Sequence, residues 1–298
     1  MLTIAQTWSD QLHTAQAKVG YTRRPVAYTV QAMLAGSYIG VAVVLMTSAA
    51  GPLLAAASPW TKLVQGLVFG VALTLVVTAG GELATSNMMT LTQGVIGRVL
   101  GWVPATRTLL FSFAGNLLGA LAFAAMVHGT GLLGPSTPAG QMLRGMLAAK
   151  AEESSGQLFW RGVLCNMLVC LAIWAAARLR SEVARLVVVF WCLLAFITSG
   201  FEHVVANMTT YWLGVLAGVP DAGWADFARN MAVVGLGNLV GGAVVVGAAY
   251  AIVAGRQAPE GAGTAAPGGA PDAGAALAAD VEAALQGAGT TSEVASAH

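Results

Sequence analysis

The sequence predicts an all-α membrane protein in which six transmembrane helices form two inverted repeats of three helices, with the second and fifth helices broken. Three observations lead to this fold class. First, 57% of the 298 residues are hydrophobic and only 9% are charged, a balance outside the range of soluble domains. Second, several apolar runs are long enough to cross a bilayer. Third, a motif containing a glutamate occurs twice, each time where an apolar run stops.

Four apolar runs have the length of a spanning helix. A bilayer core of roughly 30 Å needs about 20 apolar residues, and the runs that meet this length lie near residues 26–48, 107–128, 158–177 and 230–253. Two further runs, 63–79 and 183–199, stop at a glycine and a glutamate before mild hydrophobicity resumes. Backbone that leaves helical geometry at membrane depth is tolerated only where it is buried in protein or lines a watery cavity. We therefore predict six spans, two of them broken.

The Lys and Arg positions predict the orientation and the domain limits. With six spans the termini share one side of the membrane, and that side holds nine of the 14 basic residues. Both termini are therefore predicted to be cytoplasmic. Residues 1–25 form an N-terminal segment, either interfacial or disordered, and residues 26–254 form the transmembrane channel domain. Residues 255–298 are an Ala/Gly/Pro-rich tail with too little apolar content to fold alone, predicted to be disordered and cytoplasmic.

The duplicated motif relates the two halves of the chain. The stretch "GGELATSNMMT", which begins at Gly80, aligns with "GFEHVVANMTT", which begins at Gly200, and pairs Glu82 with Glu202. Further along, "AGNLLGA" aligns with "LGNLVGG" at nearly the same offset, although such small-residue patterns are also typical of close helix packing. Because each unit holds three spans, tandem copies cross the membrane in opposite directions, as in transporters whose broken helices meet near the midplane.

Four segments together resemble the formate/nitrite transporter family: "GELATSNMMTLT", "FWRGVLCNMLVCLAIW", "FWCLLAFITSGFEHVVANMT" and "GLGNLVGGAVVVG". The resemblance covers residues from about 25 to 254 and is nearest to the nitrite channel branch. It implies a homopentamer of aquaporin-like protomers in the bacterial inner membrane, each with its own pore for small monovalent anions or their acids. Nitrite is the first candidate substrate, and formate and hydrosulfide are the alternatives.

The resemblance also implies which residues lie along the pore. The polar positions near the substrate pore are matched by His203, Thr85, Asn166, Asn238 and Lys150. The hydrophobic constrictions are matched by Phe69, Leu73 and Phe196. One departure is Ala84, which stands where family members usually carry an aromatic residue, so the inner constriction is expected to be wider or differently gated.

Physical arguments separate the polar residues by role. An anion loses hydration in a low-dielectric pore, so the pore must offer positive potential or donors, such as the helix N-termini that two breaks create. His203 adds a hydrogen-bond donor, whether its imidazole is neutral or protonated. The matching position of the first motif is Leu83, so this donor is present in only one of the two repeats. A carboxylate on this route would repel the anion, so we expect Glu82 and Glu202 to accept hydrogen bonds from the interrupted backbone and to brace the two loops. Asn87 and Asn207 of the same motifs are also assigned to loop bracing. Lys150 and Arg161 are interpreted as funnel charges or as snorkelling anchors.

Two other classes of protein share some of these features. A neutral-solute channel of the aquaporin type also has six spans and two half-helices, but both loops here carry Asn-Met and the sequence has no Asn-Pro-Ala pair. A membrane-bound enzyme or redox subunit would need haem-ligating histidines on facing helices or a cysteine cluster, and only one of the four histidines lies deep in a span. The three cysteines have no metal or disulfide spacing and are interpreted as packing residues. The sequence therefore predicts no enzyme activity, no cofactor and no metal site.

Overall fold

The structure, a computed structural model, describes residues 1–257, and the predicted tail beyond residue 257 lies outside the described residues. All regular secondary structure in residues 1–257 is helical. In chain order the α-helices of this part are α1 (Ile4–Tyr21), α2 (Pro25–Ala55), α3 (Thr61–Phe69), α4 (Val71–Thr78), α5 (Ala84–Ile96), α6 (Trp102–Gly129), α7 (Pro138–Glu152), α8 (Ser155–Arg178), α9 (Glu182–Thr198), α10 (Val204–Leu216), α11 (Trp224–Leu239) and α12 (Ala249–Gln257). A short 3₁₀ turn (Pro220–Ala222) precedes α11, and a wider π-helical stretch (Val240–Ala248) joins α11 to α12.

Five helical segments within residues 1–257 are long and apolar enough to cross a membrane. They are Pro25–Ala55, Thr61–Thr78, Trp102–Gly129, Ser155–Arg178 and Trp224–Gly255. The chain is thus a multi-pass membrane protein. α9 is apolar but has only 17 residues, below the length of these five, so the count of six spans stays a prediction.

The N-terminal segment is a capped helix that packs against the rest of the protein. The Thr3 side chain accepts a hydrogen bond from the Gln6 N–H, and the Gln6 Oε1 accepts one from the Thr3 N–H, which satisfies two donors at the start of α1. α1 then packs on α5 and α12, and the Leu2 N–H donates to the Arg178 carbonyl at 2.8 Å. Of the two predicted alternatives for this segment, the disordered one is wrong.

Two long helices in each half of the chain approach each other through glycine. α2 packs along α6, and α8 packs along α11. A Cβ at Gly119 on α6 would lie 1.9 Å from the Met33 carbonyl oxygen, and a Cβ at Gly241, in the π-helical stretch that continues α11, would lie 2.2 Å from the Val163 carbonyl oxygen. These glycines are matched by the second alignment in the sequence, so close packing is the physical reason for that repeated pattern.

The half-helices that follow the two breaks pack across to the other half of the chain. α10 lies against α6 and α2, while α5 lies against the π-helical stretch and α8. The half-helices before the breaks meet each other, because α3 packs on α9. These matched pairings support the predicted inverted repeat, which stays a prediction. They also bring the two breaks together in the middle of the fold.

Candidate functional site

Both predicted helix breaks are present, and each contains a glycine in the left-handed region. The first break lies between α4 and α5, and the second lies between α9 and α10. Gly80 has a φ of +79° and Gly200 has a φ of +73°, a conformation that a residue with a Cβ adopts only at a cost. The N–H of the next residue then donates a hydrogen bond to a carbonyl of the preceding helix, at 2.9 Å in the first break and 3.0 Å in the second. The glycine that stops each apolar run therefore makes the turn.

One asparagine from a long helix holds the backbone of each break. Asn116 on α6 accepts a hydrogen bond from the first N–H of α5 at 2.9 Å and donates to the Glu82 carbonyl at 2.9 Å. Asn238 on α11 accepts from the first N–H of α10 at 2.9 Å and donates to the Glu202 carbonyl at 2.9 Å. Both asparagines are fully buried, so they satisfy backbone groups that lipid would leave unpaired.

The glutamate of the first break is bound by side chains. The Lys18 Nζ lies 2.7 Å and 2.9 Å from the two carboxylate oxygens of Glu82. The Asn87 amide donates to the same carboxylate at 2.6 Å and to the Ser112 hydroxyl at 3.1 Å. We expected donors from the interrupted backbone, and that detail is wrong, because lysine and asparagine side chains take their place.

The glutamate of the second break has the same environment. The Lys150 Nζ lies 2.6 Å from each carboxylate oxygen of Glu202, and the Asn207 amide donates to this carboxylate at 2.6 Å. Asn207 also donates to Asn230 at 2.8 Å. The side chains of Lys150 and Glu202 are only 10% and 7% exposed, so water solvates them little and each charge is compensated by the other. The expected backbone donors are again replaced by side chains.

His203 and Thr85 join the two breaks by a side-chain hydrogen bond. The Thr85 Oγ1 lies 2.9 Å from the His203 Nε2. The His203 Nδ1 lies 3.2 Å from the Ala206 N–H and accepts from it, so His203 is the N-cap of α10. Because a backbone N–H can only donate, Nδ1 is the unprotonated nitrogen, and Nε2 carries the proton that goes to Thr85. This pattern assigns a neutral imidazole in the structure.

Aromatic and aliphatic side chains close the space next to His203. The ring centroids of Phe69 and Phe196 are 5.7 Å apart in an edge-to-face arrangement, and the Phe196 ring stacks on the imidazole of His203 at 6.0 Å. Leu73 lines the same small cavity, whose volume is about 10 Å³. Such a volume is close to the lower limit for one water molecule. The three predicted constriction residues and His203 are thus brought together by the fold.

A larger cavity opens from this constriction to one side of the protein. Its volume is about 110 Å³, and it reaches Phe69, Phe196 and His203 at its inner end. Three cations and two carboxylates also line it: Lys62, Lys150, Arg161, Glu153 and Glu202. We call this cavity the vestibule. Clefts with such charges concentrate ions of opposite sign.

Asn166, Asn238 and Ala84 occupy buried positions outside the lining of both cavities. Asn166 donates to the Thr85 carbonyl at 3.1 Å and to the Asn238 carbonyl at 2.7 Å, so it ties the first break to α11. Ala84 is the first residue of α5, and its N–H is the one that Asn116 binds. Asn166 also contacts the sulfur atoms of Met88 and Cys170. The assignment of Asn166 and Asn238 to the pore stays a prediction.

Sequence reasoning missed two residues that the structure places at the first break. Asn116 had a signal, because the repeat pairs it with Asn238. Lys18 had no such signal, since it lies on α1, outside both aligned motifs. It is 64 positions from Glu82 in the sequence, and only the folded chain brings the two side chains together.

Comparisons with known proteins agree with this arrangement. A family profile described as formate/nitrite transporter matches residues 5–252. The nitrite transporter NirC of Escherichia coli (strain K12) is 38% identical over 229 residues, which cover 76% of this chain and 83% of that protein. A solved structure described as an FNT family ion channel superposes with a TM-score of 0.78 at 35% identity, covering 83% of this chain and 98% of the other. A pentameric formate channel with formate bound superposes with a TM-score of 0.63 at 27% identity, covering 78% and 98%.

Proposed function

This chain belongs to the formate/nitrite transporter family, whose members compared above are channels and transporters and not enzymes. From that premise we propose that it is a channel or transporter for small monovalent anions, with nitrite as its main substrate. We further propose that it works as a homopentamer in a bacterial inner membrane, with each protomer carrying its own pore. The similarity to the nitrite transporter NirC supports the substrate, and the similarity to a pentameric formate channel supports the assembly.

One observation carries the proposal: His203 of the second break lines both the hydrophobic constriction and the charged vestibule, and it is hydrogen-bonded to the buried Thr85 of the first break. The N-termini of α5 and α10, the positive ends of their helix dipoles, both lie here. The N–H groups of Ala84, Val204 and Ala206 are already bound by side chains, so an anion that leaves water for this region is stabilised by the dipoles and by the remaining first-turn N–H groups. The apolar rings beside them exclude larger, strongly hydrated solutes.

The tautomer of His203 suggests how the anion is bound. Because the His203 Nε2–H is donated to the Thr85 Oγ1, the hydroxyl proton of Thr85 is free to be donated to a passing anion. A doubly protonated imidazole could no longer accept from the Ala206 N–H, so α10 would lose its cap, at a cost of about 1 kcal/mol. We therefore propose that His203 works as a neutral donor that orients Thr85, and that protonation is not its resting state.

The orientation follows from the distribution of basic residues. Nine of the 14 lysines and arginines lie in the termini and in the connections on the same side, which we propose is the cytoplasm. With this orientation the vestibule opens on the outer face of the membrane, because the connections after α2 and α6 both lie on that side. An anion arriving from outside would meet the vestibule before the constriction.

The experiment that tests this function compares uptake of nitrite, formate and hydrosulfide into proteoliposomes over a range of pH. We expect nitrite uptake to be rapid and to exceed the uptake of a larger anion. No uptake of any of the three substrates would overturn the proposal. A His203→Ala variant is expected to lower nitrite uptake or change its pH dependence. His128→Ala, which alters an exposed histidine at the end of α6, is the matched control and should behave as the wild type.

A second candidate substrate is formate, because the superposed pentameric channel is described with formate bound. Both anions carry one charge and are of similar size, so the same donors and the same constriction can accept either. The uptake comparison decides between them by the ratio of the two initial rates.

A further inference from the structure

Glu153 is a carboxylate at the rim of the vestibule, where an anion pore would be expected to avoid negative charge. It lies in the short connection between α7 and α8, and its side chain is 15% exposed. The other vestibule carboxylate, Glu202, is neutralised by Lys150 and braces the second break. Glu153 makes no hydrogen bond to the break itself, and its partner Arg161 reaches the Gly200 carbonyl only at 3.4 Å, so its position needs a different explanation.

The contacts of Glu153 hold it against a cation of the vestibule. Its Oε1 accepts a hydrogen bond from the guanidinium of Arg161, whose side chain is 39% exposed. The guanidinium of Arg229 binds the main-chain carbonyl of Glu153 and so fixes the connection. The second carboxylate oxygen is buried and has no hydrogen-bond partner within residues 1–257. Within residues 1–257 the carboxylate of Glu153 therefore pairs with Arg161 and accepts no hydrogen bond from another donor.

Resting on the function proposed above, we propose that Glu153 is a counter-charge that controls how strongly the vestibule attracts the substrate anion. While Glu153 is ionised, Arg161 is paired and the three cations and two carboxylates of the vestibule sum to a net charge of +1. When Glu153 takes a proton, Arg161 is released and the net charge becomes +2. Recruitment of anions from the outer side then becomes stronger in acid.

The surroundings of Glu153 favour this protonation. The charged groups that face it are Arg161, Lys150, Lys62, Glu202 and, on the main chain, Arg229. Burial and the charge of Glu202 raise the pKa of Glu153 above its ordinary value, against the opposing effect of the cations. A carboxyl group with a raised pKa takes its proton at a higher pH than a free one. Arg161 is therefore released at a higher pH than an ordinary glutamate pKa would set.

The charge-neutralising variant Glu153→Gln tests this proposal, with Glu152→Gln as a matched control. Glu152 is the neighbouring residue and carries the same charge, but it is exposed and does not line the vestibule. Nitrite is added outside right-side-out vesicles at pH 7.5 and low salt, and initial rates are measured. One added positive charge in the vestibule is expected to lower the half-saturating nitrite concentration about threefold for Glu153→Gln, with the maximal rate unchanged. Glu152→Gln should leave it within about 1.5-fold, as a screened surface charge does.

A compensating variant makes the test independent of folding effects. Lys62 lines the vestibule, is exposed and forms no ion pair within residues 1–257. Lys62→Gln is expected to raise the half-saturating concentration, and the double variant Glu153→Gln/Lys62→Gln is expected to return it to the wild-type value. The wild type should approach Glu153→Gln as the pH is lowered, whereas Glu153→Gln itself should lack this acid-dependent component.

The outcomes separate this inference from the proposed function. Equal behaviour of Glu153→Gln and Glu152→Gln in a channel that conducts nitrite would overturn the role of Glu153 alone. An effect on the maximal rate that Lys62→Gln does not compensate would also overturn it, because that result indicates a structural role. No anion flux through any variant or the wild type would overturn both proposals.

Discussion

We expect the removal of Lys150 to act mainly on the stability of the protein and less on the recruitment of anions. Lys150 is bound to both carboxylate oxygens of Glu202 at 2.6 Å, so the variant Lys150→Met leaves a carboxylate that is 7% exposed without its cation. Methionine has nearly the same length and fills the same space. The perturbation is therefore the loss of charge compensation at the second break.

The structure sets the size of the expected loss. Breaking a buried ion pair by removing one partner costs about 3–5 kcal/mol, because the remaining charge stays desolvated. Glu202 keeps the hydrogen bond from Asn207 at 2.6 Å, which places the loss at the lower end of this range. Neutralising the partner as well, in Lys150→Met/Glu202→Gln, removes the buried charge and should recover about 2 kcal/mol or more.

The assay is the amount of intact oligomer that remains after heating, measured by size-exclusion chromatography in detergent. We expect Lys150→Met to have the lowest apparent melting temperature and the double variant to lie between it and the wild type. Lys62→Met is the matched control, because it removes a lysine of the same cavity that has no ion pair within the described residues. It should melt as the wild type does.

A different result would refute this reasoning. If Lys150→Met melts like Lys62→Met but conducts less nitrite, the main role of Lys150 is to attract the anion and not to brace the break. If the double variant is less stable than Lys150→Met, Lys150 and Glu202 are not coupled through charge. The short distances between them would then not result from charge compensation.

Three further predictions follow from other contacts. Thr85→Val removes the hydroxyl that accepts from His203 while keeping the side-chain shape, and should lower nitrite uptake about 10-fold, since a buried donor left unpaired costs about 1–3 kcal/mol; unchanged uptake would exclude Thr85 from the pore. Gly119→Ala should prevent assembly, because its Cβ would lie 1.9 Å from a carbonyl oxygen of α2, whereas Gly20→Ala, with open space around it, should express and assemble normally. A chain ending at Gln257, the last residue of α12, should still assemble and conduct, and failure of either step would show that the tail is needed.

The helix breaks could be predicted from the sequence because each of them leaves a mark on the chain. Gly80 and Gly200 stop an apolar run, and a left-handed turn at membrane depth needs a residue without a Cβ. The glutamate and asparagine that follow are too polar to face lipid, so their burial could also be predicted. The same reasoning identified His203, which has an aliphatic residue at the matching position.

The partners of the motif glutamates could not be predicted in the same way. The sequence predicted bracing by Glu82 and Glu202 with donors from the interrupted backbone, whereas lysine and asparagine side chains are the donors. Lys18 lies on a helix outside the repeat, and Lys150 was assigned to the pore by resemblance. Ion pairs between distant positions depend on how helices pack, and helix packing leaves no fixed spacing in the sequence.

The sequence by itself determined the helical class, the two breaks and the family, because hydropathy, glycine positions and repeated motifs are local properties of the chain. Only the tertiary structure decided which groups compensate the buried charges and which nitrogen of His203 holds its proton. It also decided that Glu153 shares the vestibule with Lys62 and Arg161. These are distance-dependent matters, since electrostatic interactions and hydrogen bonds act between atoms that are close in space and far apart along the chain.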